Sequence, residues 1–278
     1  MAVINMINKY KIRDMERLAE YQDTLYRHPR LTYLFFELTD ACNLTCMHCG
    51  SSASPQNRQY LSREHYRKVI DSVAGKYIPH TVMICLTGGE PMLHPDFYRF
   101  AAYARKRGFS CGITTNGTLI DKTAAQKIAR CGIGSVTFSL DGTSETHNKF
   151  RGGVNTYLKT IAGIQNLLEA SNGRITTQIT TVVHKGNIDE LDAIYKVVSN
   201  LGVDSWRIIN LEPIGRALEH PELLLDANDY RMLFEYIRQK RYDNEVTIDV
   251  TYIYVFIINT VVIICFGEIY NERIYILN

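Results

Sequence analysis

The stretch TDACNLTCMHCG, residues 39–50, gathers three of the chain's seven cysteines into one short loop. Cys42, Cys46 and Cys49 are separated by three and then by two residues, and no fourth cysteine lies near them in sequence. A structural zinc site is closed by four ligands, and a disulfide joins two cysteines. Three thiols in one loop therefore indicate a metal centre in which one coordination position is left open.

Outward from this loop, apolar strands and amphipathic helices alternate from about Leu31 to about Lys240. The predicted strands are LTYLFFELT, TVMICLTGG, FSCGITTNG, SVTFSLDG, RITTQITTVV and SWRIINLEP. Several are nearly continuous apolar or β-branched runs, as expected of parallel strands that are covered on both faces. Between them, Ser62 precedes an apolar stripe over residues 66–73, and Asn187 with Glu190 resembles a capping box.

Six strand–helix units fit into this span, and their alternation predicts an α/β fold with a parallel sheet. A complete eight-unit barrel typically needs about 250 residues, so we expect a partial (β/α)6 TIM-like barrel. No GxGxxG follows the first strand, which argues against a Rossmann sheet. The predicted organisation is an N-terminal helical lead-in over residues 1–30, a core domain over 31–240 and an atypical tail over 241–278.

Length and composition set the class of protein. With 278 residues, of which 46% are hydrophobic, the chain can bury a large core. Its 31 basic and 29 acidic residues give a net charge of +2, which offers no argument for binding nucleic acid. The first 30 residues contain no apolar signal-peptide region. Cysteines in an unsecreted chain indicate thiols or metal, so we predict a reducing, cytoplasmic location.

Three thiolates on one loop can hold three corners of a cubane [4Fe–4S] cluster and leave the fourth iron free for a small molecule. Zinc is one alternative, with an outside histidine as fourth ligand, but no second CxxC or histidine pair completes that pattern. Ordinary buried cysteines are another alternative, although three within eight positions is unusual for packing alone. We therefore interpret the loop as a cluster-binding loop.

The loop resembles the CxxxCxxC signature of the radical S-adenosylmethionine (SAM) superfamily, and further matches extend over about residues 31–240. The resemblance implies that Cys42, Cys46 and Cys49 bind a [4Fe–4S] cluster whose open iron chelates SAM. The segments CMHCGSSA and SLDGTSETHNKFRGG look most like the branch that modifies peptides or proteins and usually carries a C-terminal SPASM domain.

The resemblance also implies contacts to SAM at the first two strand ends. In LTGGEP, Gly89 and Glu90 match positions that hold the SAM amino group, and paired glycines let a ligand approach the backbone closely. His48 lies between two of the cysteines and matches a position that packs beside SAM. Its alternative, a metal ligand, is less consistent with the family.

Later strand ends supply further contacts by the same resemblance. Ser139 matches a SAM-contacting position, and Arg151 matches a basic residue placed against the SAM carboxylate, although either could be an ordinary polar loop residue. Ser139 and Asp141 should point the same way if the strand stays regular. Thr115 is interpreted as lining the pocket, and Glu212 is expected to meet the adenine through its backbone.

The implied mechanism is that one electron from the reduced cluster cleaves SAM and yields a 5′-deoxyadenosyl radical, which abstracts hydrogen from the substrate. Iron–sulfur potentials span roughly −700 to +450 mV, and this step needs the reducing end. A flavodoxin or ferredoxin-type electron donor is therefore expected. The expected substrate is a peptide or protein, and no nucleic-acid or membrane partner is expected.

The tail departs from the family pattern. A SPASM domain needs several further cysteines, whereas only Cys265 follows Cys131. The apolar run from Tyr252 to Phe266 is shorter than the ~20 residues of a membrane helix, so a strand pair is favoured over an anchor. We expect a truncated or frameshifted end, which translation of the encoding DNA in its other frames would test. The alternatives to an active enzyme are a catalytically inactive, truncated iron–sulfur or SAM-binding protein and a zinc-binding scaffold.

Overall fold

A computed structural model describes residues 30–242 continuously. It also describes residues 12–13, 16–17, 19–21, 23–24, 27–28, 249–252, 261–264 and 275–277. The described residues between 12 and 27 are helical. The rest of the predicted tail, including Cys265, lies outside the described residues.

Six parallel strands form the centre of the molecule, and each lies within one of the predicted apolar runs. They are β1 (Tyr33–Glu37), β2 (Met83–Thr87), β3 (Ser110–Thr115), β4 (Ser135–Ser139), β5 (Thr176–Val183) and β6 (Ser205–Asn210). They pair side by side in chain order, and the sheet does not close on itself. The predicted partial barrel is therefore confirmed.

Three short strands extend this sheet at its edges. They are β7 (Asp249–Tyr252), β8 (Val261–Ile264) and β9 (Tyr275–Leu277). β7 pairs with β6 and β8 pairs with β1, both in parallel, while β9 runs antiparallel to β8. Of the strand pair expected in the run from Tyr252 to Phe266, β8 lies within the run, but its partner β9 lies beyond it.

Seven helices connect or follow the central strands in the described part of the chain after residue 30. They are α1 (Arg63–Lys76), α2 (Phe97–Lys106), α3 (Lys122–Cys131), α4 (Ser144–Arg151), α5 (Thr156–Ser171), α6 (Leu191–Leu201) and α7 (Ala227–Tyr242). Among the described helices, none is long and apolar enough to cross a membrane.

The two predicted helix starts have different outcomes. Ser62 caps α1 as expected, because its side chain accepts a hydrogen bond from the His65 amide at 3.1 Å. The capping box at Asn187 and Glu190 is wrong, since α6 begins only at Leu191 and neither side chain caps it. Asn187 instead donates to the carbonyls of Asp141 and Val182.

The two faces of the central sheet differ in burial. One face carries large apolar side chains, such as Phe36, Leu86 and Trp206, which pack with the helices into one core. The opposite face, here called the inner face, is only partly buried and includes polar residues such as Thr180 and Arg207. In a barrel this inner face surrounds the space beneath the strand ends.

Candidate active site at the strand ends

A cavity of about 200 Å³ lies at the carboxyl ends of the first four strands. It brings together segments that are far apart in sequence, as the strand-end argument predicts. Its lining includes all three loop cysteines together with His48, Gly88, Gly89, Thr115, Ser139 and Arg151. Two predicted site residues, Glu90 and Glu212, are not among the lining residues.

The cysteine loop is well packed. Cys42 and Cys46 are buried beside Leu44 and Ala53, Cys49 is half-buried, and all three are free thiols. Burial raises the pKa of Cys42 to about 12, and it also raises that of Cys46, although the charge of Arg151 opposes the second shift. Thiols held this way stay protonated until a metal displaces the proton, as metal-bound thiolates require.

The donor set fits a cubane cluster better than a closed zinc site. Within the described residues, no three His, Cys, Asp or Glu side chains converge as ligands of a single metal ion. A cubane does not need such convergence, because each thiolate binds a different iron. Three cysteine sulfurs that border one cavity, with no nearby histidine pair or second CxxC, are therefore consistent with a cluster that keeps one iron accessible.

Gly88 and Gly89 hold the end of β2 directly against the cysteine loop. The Gly89 amide donates to the Thr39 carbonyl at 2.7 Å, and Gly88 adopts a φ of +123°. A Cβ atom on Gly89 would lie 2.2 Å from the Ala41 carbonyl oxygen. The double glycine is therefore required by the approach of two protein segments, in addition to any ligand.

Glu90 is fully buried, and its carboxylate is held inside the protein. It accepts hydrogen bonds from the Thr115 hydroxyl at 2.9 Å, the Asn116 amide at 2.9 Å and the Met92 amide at 3.3 Å. Burial raises its pKa to about 7 despite these donors. The carboxylate thus joins the ends of β2 and β3, while its contact to the SAM amino group stays a prediction.

Arg151 lies at the end of α4 and reaches the cavity from its far side. Its Nε donates to the buried carboxylate of Asp141, and its Nη1 lies 3.7 Å from the sulfur of Cys46. Burial is the largest single effect and raises the pKa of Asp141, but the charges of Arg151, His48 and His147 and the hydrogen bond from Arg151 together hold the pKa below its usual value. The ion pair places a positive charge beside a thiol ligand and the cavity.

Ser139 and Asp141 do not face the same way. β4 ends at Ser139, so the alternation of side chains does not continue to Asp141. Ser139 lines the cavity, whereas Asp141 is buried against β5 and accepts a hydrogen bond from the Val182 amide at 2.8 Å. Sequence reasoning therefore missed Asp141 as the residue that positions Arg151.

His48 is half-buried and lines the cavity. Its ring stacks on that of Phe150, with 4.4 Å between ring centroids and 8° between planes. Burial lowers its pKa to about 3, so the ring is neutral. Its Nδ1 has no hydrogen-bond partner among the described residues, which leaves one polar atom for a ligand.

The segment after β6 forms hydrogen bonds to the cysteine loop, a contact that the sequence did not indicate. Arg216 lines the cavity and donates from Nε to the Cys46 carbonyl at 2.8 Å and from Nη1 to the Ala53 carbonyl at 2.9 Å. Glu212 precedes it, and its carbonyl accepts from the Ile214 amide at 2.8 Å. The predicted contact of Glu212 to adenine stays a prediction.

In this open parallel barrel, three thiols, a glycine pair and a buried arginine border one cavity. This arrangement is typical of an enzyme core that binds a metal cluster and a small-molecule cofactor. The sequence matches the family model described as "Radical SAM superfamily" over residues 36–198. The chain therefore belongs to the radical SAM superfamily, as predicted, and its cofactors are a [4Fe–4S] cluster and SAM.

Among similar proteins, the AdoMet-dependent heme synthase of Methanosarcina barkeri is 32% identical over 225 residues, covering 80% of this chain and 62% of that protein. The mycofactocin maturase MftC of Mycolicibacterium smegmatis is 30% identical over 208 residues, covering 74% and 52%. The chain thus spans between about half and two thirds of the length of these relatives.

Solved structures share the fold at lower identity. Streptococcus suis SuiB bound to S-adenosylmethionine superimposes with a TM-score of 0.70 at 15% identity, over 91% of this chain and 63% of that one. The enzyme anSMEcpe with bound AdoMet gives 0.64 at 22% identity, over 79% and 64%. These matches bear out the predicted resemblance to radical SAM enzymes of the SPASM type.

Proposed function

We propose that this chain is the catalytic core of a radical SAM enzyme that modifies a peptide or protein substrate. In this proposal Cys42, Cys46 and Cys49 hold the [4Fe–4S] cluster. The core domain carrying the site is the segment predicted from sequence, residues 31–240.

The observation that carries the proposal is the single cavity bordered by three cysteine thiols, the Gly88–Gly89 turn, Ser139 and Arg151. The cysteines provide a thiolate donor set, and the other residues provide hydrogen-bonding and positively charged groups. Such a site suits a cluster beside a zwitterionic cofactor with one amino and one carboxylate group.

Each group has a distinct task in this proposal. Arg151, held by Asp141, faces the cofactor carboxylate. The backbone at Gly89 and the hydroxyl of Ser139 form hydrogen bonds with the cofactor, and His48 packs beside it. When bound, the reduced cluster supplies the electron that breaks a carbon–sulfur bond of SAM, so that hydrogen can be taken from substrate. The buried loop and Arg216 keep the thiols in place during this step.

An external electron donor of the flavodoxin or ferredoxin type and a reducing, cytoplasmic location are part of the proposal. A cluster that cleaves SAM must work at the reducing end of the iron–sulfur range. Free thiols, rather than disulfides, are found at all six described cysteines. Such usage is typical of a reducing compartment.

A peptide substrate is supported by two neighbours, SuiB bound to precursor peptide SuiA and the maturase MftC. A second candidate is a tetrapyrrole substrate, because relatives that are 32% and 35% identical are named AdoMet-dependent heme synthase and Fe-coproporphyrin III synthase. The two candidates share the cluster and SAM but differ in the group that enters the barrel.

The cofactor proposal is tested with protein reconstituted under anaerobic conditions. We expect about four irons and four sulfides per chain and, after SAM and dithionite are added, formation of 5′-deoxyadenosine. Replacing all three loop cysteines by alanine should abolish both, whereas Cys131→Ala, half-buried at the end of α3, should retain both. Iron retained by the triple variant would refute the assignment.

The substrate class is tested in the same assay. A peptide substrate predicts that a peptide encoded beside this chain raises 5′-deoxyadenosine formation and changes mass, while iron porphyrins have no effect. A tetrapyrrole substrate predicts the reverse, together with a shift of the porphyrin absorption band on binding. Stimulation by the porphyrin alone would overturn the peptide proposal.

A further inference from the structure

One row of inner-face residues leads from the cavity across the barrel. Ser139 of β4 is in register with Thr180 of β5, and Thr180 is in register with Arg207 of β6. Register partners in neighbouring strands carry their side chains on the same face of the sheet. Ser139 lines the cavity, so Arg207 stands on the same face two strands away, roughly 10 Å across the sheet.

Arg207 has no internal counter-charge in the described part of the chain. Its Nε is buried and has no hydrogen-bond partner among the described residues. The hydroxyl of its register neighbour Thr180 is likewise buried and has no hydrogen-bond partner there. The described ion pairs do not include Arg207. Burial lowers its pKa, and the groups that oppose this shift are Tyr33 and Cys85. Burial raises the pKa of Cys85 to about 12, so this thiol is neutral.

The contrast with Arg151 is informative. The guanidinium of Arg151 is buried, and Asp141 neutralises it. Arg207 is half-buried, and its buried Nε–H carries a desolvation cost that no hydrogen bond or carboxylate among the described residues offsets. Residues that break this rule are typical of sites that bind a ligand of opposite charge.

The surroundings of Arg207 indicate the rest of the ligand. Tyr33 interacts with Arg207 electrostatically, and its ring lies 6.4 Å from that of Phe35. Phe35 is the register partner of Cys85 on the inner face. One positive charge on an inner face that also carries two aromatic rings matches a monoanion carried on an aromatic or apolar group. A phosphate dianion, by comparison, is commonly bound by more than one cation.

We propose that Arg207 recognises a carboxylate of the substrate inside the barrel, and that this carboxylate lies next to an aromatic or apolar group. The proposal rests on the proposed function, because it assigns the substrate of the same cavity. The carboxylate can belong to the C-terminus of a peptide or to a side chain of an organic acid, and both present the same chemistry to Arg207.

Binding to the reconstituted full chain with SAM tests the proposal. The probes are N-acetylphenylalanine and 3-phenylpropionate, each compared with its amide at constant ionic strength, with phenyl phosphate as a third anion. In the wild type each acid should bind at least about tenfold more tightly than its amide. Arg207→Met should abolish this difference, Arg207→Lys should keep part of it, and Arg130→Met, exposed on α3, should behave as the wild type.

The probes also separate the two sources of the carboxylate. Tighter binding of N-acetylphenylalanine points to a peptide C-terminus, and tighter binding of 3-phenylpropionate points to an organic-acid side chain. Equal binding of acid and amide, or an acid preference that survives in Arg207→Met, overturns the proposal. Preference for phenyl phosphate over both acids also overturns it.

Thermal unfolding without ligand provides an independent readout. Arg207→Met should raise the melting temperature, because it removes an uncompensated charge, whereas a fall would reveal an internal counter-charge and overturn the proposal. Production of 5′-deoxyadenosine by the wild type distinguishes failure of the substrate inference from failure of the proposed function. If it forms while acids bind no better than amides, the substrate inference fails alone. If it does not form while Arg207-dependent acid binding persists, the proposed function fails alone.

Discussion

Replacing Asp141 by asparagine tests the electrostatic centre of the site. The carboxylate of Asp141 is fully buried, pairs with Nε of Arg151 and accepts a hydrogen bond from the Val182 amide at 2.8 Å. Asparagine keeps the size of the side chain but removes its charge. Arg151 would then remain buried without a counter-charge.

The expected loss of stability follows from this geometry. Breaking a buried ion pair by neutralising one partner costs roughly 3–5 kcal/mol, because the other charge remains desolvated. The Arg151 side chain is only 9% exposed, so water cannot replace the missing carboxylate. We therefore expect Asp141→Asn to lower the free energy of unfolding by roughly 3–5 kcal/mol at pH 7.

The pH dependence has a definite sign. Burial raises the pKa of Asp141, but Arg151, with His48 and His147, holds the folded-state pKa below the ordinary value of 3.8. The stabilisation is therefore fully present above the unfolded-state pKa and is lost as the pH falls through the folded-state pKa. The difference between wild type and Asp141→Asn should stay constant from pH 5 to pH 8 and should shrink below about pH 4.

Urea unfolding followed by circular dichroism measures this difference, with reductant present to keep the thiols free. Asp226→Asn is the matched control, because its ion pair with Lys185 is exposed and should contribute little. If Asp141→Asn and Asp226→Asn are equally stable at pH 7, then the buried pair does not hold the site together and the reasoning is refuted.

Three further perturbations test the frame around the cavity. Gly89→Ala should lower the amount of bound iron, and it should lower the unfolding free energy by roughly 1–3 kcal/mol, because the new Cβ would meet the Ala41 carbonyl. The control Gly75→Ala, in α1 with nothing within 4 Å, should raise the unfolding free energy by about 0.4–1 kcal/mol. Equal stability of the two variants would contradict this prediction. Glu90, with a pKa raised from 4.5 to about 7, makes the wild type less stable as the pH rises across that window, by about 3 kcal/mol, and Glu90→Gln should flatten this slope in urea titrations. Arg216→Met should release iron to a chelator faster, and lysine should not rescue it, because a point charge cannot bridge two loop carbonyls; unchanged release would remove Arg216 from the frame.

The central strands and the location of the site could be predicted from sequence because both depend on local patterns. Each of the six apolar runs became a strand, since a run such as TVMICLT buries its alternate residues Ile84 and Leu86 against helices. The cysteine loop and the glycine pair followed from the rule that chemistry gathers at strand ends. The cysteine loop and the glycine pair were expected to meet at one cavity because the carboxyl ends of parallel strands lie at the same edge of the sheet.

The contacts between strand ends could not be predicted, because they depend on where each strand stops and on distant partners. Ending β4 at Ser139 turned Asp141 away from the cavity and towards Arg151. Arg216 donates a hydrogen bond to the Cys46 carbonyl across 170 residues of sequence, and no local sequence pattern predicts such a contact. Asn187, interpreted as a helix cap, bonds to the carbonyl of Asp141 instead, since tertiary partners outcompeted the local cap.

The buried polar groups of this site divide by whether the protein itself satisfies them. Glu90, Asp141 and Asn187 each have hydrogen-bond partners within the chain, and they join neighbouring strand ends into a rigid frame. By contrast, His48 Nδ1 and Arg207 Nε have none in the described residues, and these two lie on the cavity wall and on the inner face. Satisfied groups fix positions, because their bonds are already made, while unsatisfied groups retain the capacity to bind a ligand. If this division is correct, substitutions in the first set should reduce stability more than ligand binding, and substitutions in the second set should do the opposite.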